Sequence, residues 1–150
     1  MSSLAQQKAK IGQPVAPTPW QALDQQAVQK FADLTGDQQF IHIDPAAAAK
    51  TVLDGPIVHG FFTLSLIAPM AAQVLDPLPD QLMALNYGFD KVRFLSPVPV
   101  GARIRGHFTL QSVEERSEGH LLHSYRTEIE IEHHKKPALV ADWLYLIIFD

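Results

Sequence analysis

The residues best suited to chemistry are an aspartate and a histidine, Asp37 and His42, which stand five positions apart in a short polar segment. A carboxylate and an imidazole that converge on one water molecule make a plausible acid/base pair, because each can hold or move a proton near neutral pH. Fully extended, this segment spans about 17 Å, so only a folded loop brings both side chains onto one substrate. The structural alternative is that Asp37 caps a turn beside Gly36 and His42 is an amphipathic filler.

Four further residues are candidates for lining a pocket next to this pair. Gly60 stands where a helix would begin, although a glycine there can also serve packing or a turn. His59 lies in an apolar segment, where a histidine is more often a satisfied core side chain, so we expect a structural role and keep pocket binding as the alternative. Ser65 and Asn86 could line the pocket or orient the pair, or each could satisfy a local backbone group.

Two predicted helices position the loop that contains the pair. Residues 20–36 have apolar side chains at helical spacing, with Asp24 as a cap and Gly36 as a left-handed stop. Asp44 precedes a proline and four alanines, which is the pattern of an aspartate N-cap with proline at the first helical position. The loop between the helices is residues 37–43, so the first helix ends directly before Asp37.

The most apolar run, residues 57–75, predicts the central helix of the fold. Residues 61–68 are apolar nearly all round, as expected of a helix that other elements surround. The run includes polar side chains and lacks flanking membrane anchors, which favours a buried helix over a membrane span. Pro69 interrupts it, so we expect a kink there or a second helical piece over residues 70–75.

Everything after Pro79 has the pattern of β-strands. Residues 103–110 and 125–132 alternate apolar and polar side chains, whereas residues 138–149 are nearly continuously apolar and predict a central strand. The apolar pattern of residues 82–94 changes parity near Asp90, which indicates a bulge. Helices followed by an antiparallel sheet indicate the α+β class. We expect a hot dog fold, with the sheet wrapped around the central apolar helix and the helical loop segment overhanging it.

Length, composition and charge set limits on function. The 150 residues, 47% hydrophobic and 19% charged, fit one globular domain over residues 20–150 after an N-terminal extension of residues 1–19 whose first ten residues form a frayed terminus. The net charge of −4 makes nucleic acid an unlikely partner. The chain contains no cysteine and its first residues do not resemble a secretory signal, so we expect a cytoplasmic protein.

Two groups of basic residues carry weaker signals. Lys91, Arg93, Arg103 and Arg105 lie on predicted strands and could meet phosphates, although a solvated face is the expected role for any one of them. Residues 133–136, His-His-Lys-Lys, resemble a hairpin tip, and no spacing of the HExxH kind supports a metal site. We therefore predict no metal.

Several spaced motifs resemble those of the MaoC-like (R)-specific enoyl-CoA hydratases, and in particular the branch related to nodulation protein N. The resemblance extends over most of the chain from Trp20 onward, and its motifs agree in order and separation. They are FADLTGD at residues 31–37, IHIDP at 41–45, PIVHG at 56–60, NYG at 86–88, KVRF at 91–94 and PVPVG at 97–101.

The resemblance implies a function and assigns roles. Asp37 and His42 match the catalytic pair of the family, which positions a water molecule, and Gly60 matches the backbone donor to the thioester oxygen. The implied reaction is hydration of a trans-2-enoyl thioester to the (R)-3-hydroxyacyl thioester, with coenzyme A or an acyl-carrier protein as part of the substrate, no other cofactor, and a place in fatty acid metabolism. The implied assembly is a homodimer. At Ala68 the chain departs from some hydratases, which have a polar residue there.

Two alternatives to a hydratase remain open at this stage. A hot dog thioesterase would use a carboxylate on the central helix, but residues 61–72 contain neither aspartate nor glutamate. A binding module for acyl thioesters, without catalysis, would retain the same loop, and the sequence does not separate it from an enzyme.

Overall fold

The computed structural model describes residues 4–150 and is built on one antiparallel sheet of five strands with the spatial order β1-β3-β4-β5-β2. The predicted α+β class is confirmed. In chain order, the elements are α1 (Leu4–Lys8), β1 (Gln21–Ala22), α2 (Gln25–Thr35), α3 (Phe40–Ile43), α4 (Pro45–Ala48), α5 (Gly60–Ser65), α6 (Ile67–Val74), β2 (Gln81–Phe94), β3 (Arg103–Ser117), β4 (His120–Ile131) and β5 (Leu139–Phe149).

The strands follow from the alternation in the sequence. Side chains of one parity are buried along most of β3 and β4, and the two largest fully buried side chains among residues 4–150 are Phe108 on β3 and Trp143 on β5. Strand β5 is interior, as predicted, and β2 has the expected irregularity, with a register shift between Phe89 and Lys91. The sheet therefore presents one continuous apolar face to the central helix.

The opposite face of the sheet carries paired charges. Arg103 forms an ion pair with Glu132, and Arg105 forms one with Glu130 at 2.6 Å. The Arg105 guanidinium also lies 4.3 Å from the ring centre of Trp20 and lowers the pKa of the Glu130 carboxyl through its hydrogen bond. These two arginines are thus engaged on the outer face, in agreement with the expected solvated face.

The central helix is broken into α5 and α6 at Leu66, three residues before Pro69 and earlier than the expected second piece at Met70. A proline has no N–H to offer the carbonyl four residues back and its ring collides with that carbonyl. For Pro69 this carbonyl belongs to Ser65, which is the last residue of α5. The location of the break is therefore a direct consequence of the proline.

A glycine in β3 lets α6 approach the sheet closely. A Cβ at Gly106 would lie 2.9 Å from the ring of Phe108 and 3.3 Å from the sulfur of Met70. A side chain at position 106 would therefore displace the ring of Phe108 and the thioether of Met70, which pack over this glycine.

The first predicted helix is shorter than expected. Asp24 caps α2 through a 2.8 Å bond from Ala27 N–H, and Gly36 ends it with φ of 82°, as predicted. Residues 20–24 are not helical, however, because Gln21 and Ala22 pair with β3 as the short strand β1. Pairing with a sheet edge outweighs the helical spacing at this end.

The expected frayed terminus is wrong for residues 4–10, whereas residues 1–3 lie outside the described part. Helix α1 buries Gln7, whose exposure is only 2%. Backbone N–H groups of Gly12, Val15 and Thr18 then donate to carbonyls of β3. This segment covers the β3 edge, which would otherwise expose unpaired backbone groups.

Within residues 4–150, no helix has the length and apolar character required to cross a lipid bilayer.

The bond between the N-terminal segment and β3 provides a stability test. The Thr18 hydroxyl accepts a 2.8 Å bond from the buried N–H of Gly106. Thr18→Val leaves this N–H without a partner, so we expect the free energy of unfolding to fall by about 1–3 kcal/mol in urea denaturation. The control is Thr109→Val on the outer face, expected to change stability by less than about 0.5 kcal/mol. Equal stabilities of the two variants would contradict this account of the edge.

Candidate active site

The two predicted catalytic residues lie on either side of one tight loop. The left-handed Gly36 ends α2 and places Asp37 at the surface, where its side chain is exposed. His42 lies on α3 and turns inward, with an exposure of 6%. The side chain of Gln25 fixes α3 to α2 by donating a 2.6 Å bond to the backbone carbonyl of His42.

The tautomer of His42 follows from its hydrogen bond. Its Nδ1 lies 2.7 Å from the backbone carbonyl oxygen of Ile57. A carbonyl only accepts, so Nδ1 carries the proton and donates, and a neutral ring then has its lone pair on Nε2. His42 is thus arranged to accept a proton or a water hydrogen at Nε2.

His59 supports the loop from below. Its Nε2 donates to the backbone carbonyl of Asp37 at 3.0 Å, and its ring stacks on His42 with ring centres 3.8 Å apart and planes at 23°. The ring of Phe31 lies 4.9 Å from that of His59. His59 is 2% exposed, and these contacts match the structural role that we expected for it. Pocket binding by His59 stays a prediction.

The fold brings Asp37, His42 and His59 together, since each offers one side-chain atom within 4.8 Å of the others. Such a cluster could in principle hold a metal ion. The two imidazoles are stacked, however, so the lone pairs in their planes run nearly parallel and do not converge on a point about 2 Å from both nitrogens. The geometry favours proton transfer at this cluster, and the absence of a metal remains a prediction.

A cavity of about 280 Å³ lies at the start of the central helix, and its wall includes Ile57, Val58 and Gly60, which flank His59, but none of the three cluster residues. Gly60 is the first residue of α5, as predicted, so its N–H has no partner within the helix. A Cβ at position 60 would lie 3.1 Å from the ring of Phe94. The lining residues are Ile57, Val58, Gly60, Thr63, Phe94, Leu95, Ser96, Pro97, Val98 and Ala138. The carbonyl that fixes His42 therefore belongs to a wall residue of this cavity.

Ser65 and Asn86 lie in a different place from the pair. The Ser65 hydroxyl donates to the carbonyl of Phe62 at 2.6 Å, and Asn86 accepts a 2.9 Å bond from the indole N–H of Trp143. Both line a second cavity of about 250 Å³, whose wall also includes Ala68. Their hydrogen bonds do not reach Asp37 or His42, so the structure does not place them as orienting groups, and substrate contact there stays a prediction.

Thr63 is a residue that the sequence interpretation did not single out. It lies in α5 and is 2% exposed, and its hydroxyl has no hydrogen-bond partner within residues 4–150. The available signal was a hydroxyl in an apolar helix, one turn after Gly60. Gln25, which fixes α3, gave no comparable signal.

Known proteins resemble this chain over most of its length. Residues 6–130 match the MaoC like domain family. The chain is 43% identical over 149 residues to Nodulation protein N of Rhizobium leguminosarum bv. viciae, covering 99% of this chain and 92% of that protein. It is 40% identical over 140 residues to the 3-hydroxyacyl-thioester dehydratase Z of Mycobacterium tuberculosis strain H37Rv, covering 93% and 92%.

A solved structure also resembles this protein. The structure matches the (R)-hydratase of Aeromonas caviae involved in PHA biosynthesis with a TM-score of 0.74 and 25% identity, over 90% of this chain and 94% of that one. Together with the sheet curled around the central helix, this match confirms the predicted hot dog fold. The chain therefore belongs to the MaoC-like family, which includes hydratases and dehydratases of acyl thioesters.

Proposed function

We propose that this protein adds water to trans-2-enoyl thioesters to form (R)-3-hydroxyacyl thioesters, and that it catalyses the reverse dehydration. The observation that carries the proposal is the convergence of Asp37 and His42 on a loop that is bonded to Ile57, a wall residue of the cavity at the start of α5. The dehydratase and (R)-hydratase names of the relatives support the same chemistry. The acyl group is carried by coenzyme A or by an acyl-carrier protein, and the reaction requires no redox group or metal.

The proposed mechanism uses one water molecule held between Asp37 and His42. Nε2 of His42 accepts a hydrogen bond from one hydrogen of this water, which stays on the oxygen, because Nδ1 donates to Ile57. Asp37 takes the other proton as the water oxygen forms a bond to carbon 3 and the double bond opens toward the carbonyl. The resulting enolate oxygen is stabilised by the N–H of Gly60. The proton then goes to carbon 2 on the same face, with His42 assisting, which restores the thioester.

The expected rate gains show that neither half of the site suffices. General acid/base catalysis contributes typically about 10²- to 10⁴-fold, and a single oxyanion donor contributes about 10²- to 10³-fold. A useful rate therefore needs both the loop and the start of α5.

A crotonyl-CoA assay tests the proposal against its two alternatives. Loss of the enoyl absorbance without release of thiol is expected, since it reports hydration. Release of free thiol would identify a thioesterase, which the lack of aspartate and glutamate in residues 61–72 disfavours. Tight binding with neither change would identify a binding module.

The roles of the pair are tested by substitution. We expect Asp37→Asn and His42→Ala each to lower kcat by at least about a hundredfold, because both side chains act on the same water. Circular dichroism should show an intact fold for both variants. The control is His134→Ala, which removes an exposed histidine on the β4–β5 hairpin and should leave kcat unchanged. Turnover near the wild-type rate in either site variant would remove that residue from the mechanism.

The handedness of the product is a second test. Asp37 and His42 act from one loop while Gly60 holds the carbonyl, so water can reach only one face of the planar enoyl group. We expect the (R)-3-hydroxy product from crotonyl-CoA, the hand named for the A. caviae relative. Chiral chromatography, or coupling to an (S)-specific 3-hydroxyacyl-CoA dehydrogenase, measures it. A predominant (S) product would contradict the handedness, and a racemate would contradict the fixed carbonyl.

We further propose that the protein is a homodimer that pairs through β2. This strand is an edge of the sheet, and its exposed side chains include Leu82, Met83, Leu85, Tyr87 and Phe89. An exposed apolar edge strand is a site for pairing with another chain. A second copy placed against β2 would bury these side chains and extend the sheet, because twofold symmetry makes the same strand available on both molecules.

Sedimentation velocity at micromolar concentration tests the dimer. The wild-type protein should sediment at twice the chain mass of 16.7 kDa. Leu85→Lys should shift the distribution toward the monomer, because it introduces a charge into the apolar edge. The control is Gln111→Lys on β3, away from the proposed interface. A wild-type monomer, or a dimer that both variants leave intact, would contradict pairing through β2.

A further inference from the structure

The Thr63 hydroxyl is a polar group that the fold buries without satisfying. A threonine in a helix ordinarily donates to a carbonyl three or four residues back. Among the described residues, no acceptor or donor pairs with Thr63 Oγ1, although the side chain is 2% exposed. Leaving a buried hydroxyl unpaired costs stability, whereas an apolar side chain of the same shape would cost none. A group retained at such a cost is a candidate for binding a ligand.

The position of Thr63 places this residue in the wall of a defined cavity. It stands three residues after Gly60 on α5, and residues at this spacing share one face of a helix. Side chains of a helix tilt toward its N-terminus, so the Thr63 side chain lies over the turn that begins at Gly60. Both residues line the 280 Å³ cavity. Most of the other lining side chains are apolar, and only Ser96 adds another hydroxyl.

The groups around Thr63 determine which kind of atom can pair with its hydroxyl. The carbonyl of His59 already accepts from the N–H groups of Phe62 at 3.0 Å and of Thr63 itself at 3.1 Å. The N–H groups that open the helix, including that of Gly60, are donors without an intrahelical partner. The Thr63 hydroxyl accepts from none of these N–H groups, since Oγ1 has no partner within residues 4–150, so it can act with them by donating to an acceptor that they share. The missing partner is therefore an acceptor oxygen.

We propose that Thr63 donates the second hydrogen bond to the thioester carbonyl oxygen that Gly60 N–H also binds. This inference rests on the proposed hydratase function. Negative charge develops on this oxygen as water adds, so both donors bind the transition state more strongly than the substrate. Thr63 would thus contact the reacting group directly, and its contribution should be seen in kcat/KM.

Substitution of Thr63 gives opposite expectations for activity and stability. We expect Thr63→Val to lower kcat/KM for crotonyl-CoA by about a hundredfold, at the lower end of the range for a single oxyanion donor, because Gly60 N–H remains. Its melting temperature should stay equal or rise, because the valine removes an unpaired polar group. Thr63→Ser retains the hydroxyl and should keep most of the activity. Thr18→Val is the matched control, since its hydroxyl is paired with Gly106, and it should lose stability with unchanged kcat/KM.

A vibrational measurement tests the hydrogen bond without turnover. The carbonyl stretch of crotonyl-CoA labelled with ¹³C at carbon 1 is recorded by difference infrared spectroscopy, bound to Asp37→Asn and to Asp37→Asn with Thr63→Val. Loss of one donor should shift the bound carbonyl to higher frequency. An unshifted band would overturn the proposal, as would unchanged kcat/KM in Thr63→Val or a parallel loss of stability and activity. If the wild-type protein fails to hydrate crotonyl-CoA, the proposed function fails and the band shift alone decides the role of Thr63.

Discussion

The site depends on the short segment 57–59, to which the loop of residues 37–43 is attached by three hydrogen bonds. Ile57 N–H donates to the carbonyl of Ile41 at 2.9 Å, and the carbonyl of Ile57 accepts from His42. His59 then donates to the backbone of Asp37. The same segment is joined to the sheet side of the fold, because Val58 N–H donates to the carbonyl of Val98 at 2.8 Å. The loop is therefore held to the same structure that forms the cavity wall.

Under the proposed mechanism, this attachment lets a surface loop act on a substrate in the cavity. A loop anchored only at its two ends would leave Asp37 and His42 free to move apart, and proton transfer depends on distances set within fractions of an ångström. The stacked His59 ring limits the orientation of His42, while the hydrogen bond of Nδ1 sets its tautomer. The helix break caused by Pro69 leaves α5 as a short piece that starts at Gly60. The loop of residues 37–43 and the start of α5 are thus two separate parts of the fold that meet at the site.

The features that were predicted best from the sequence are those that depend on neighbouring residues. The cap at Asp24, the stop at Gly36 and the cap at Asp44 depend on neighbouring residues alone, and all three are present. The curled sheet around a central helix followed from periodicity, and family resemblance agreed with it. The N-terminal segment was mispredicted because its order comes from pairing with β3, a partner nearly a hundred residues away in sequence.

For the site, too, features carried by neighbouring residues were predictable and long-range contacts were not. Motif resemblance identified Asp37, His42 and Gly60 as candidates, but their roles in catalysis remain proposals. The support from His59 depends on contacts across 22 positions, and the unpaired hydroxyl of Thr63 becomes visible only when every possible partner can be located in space. Ser65 and Asn86 had two open roles, and residue type alone could not decide between them. The structure shows a local bond from Ser65 to the carbonyl of Phe62 and a bond from the indole of Trp143, 57 positions away, to Asn86.

The central claim is that one loop delivers both water and proton to the same face of the substrate. The most direct measurement is hydration of crotonyl-CoA in D₂O, with the relative configuration at carbons 2 and 3 of the product determined by NMR. Delivery from the single loop predicts that deuterium at carbon 2 and the new hydroxyl at carbon 3 are added to the same face. Addition to opposite faces, or a mixture of both, would contradict the account.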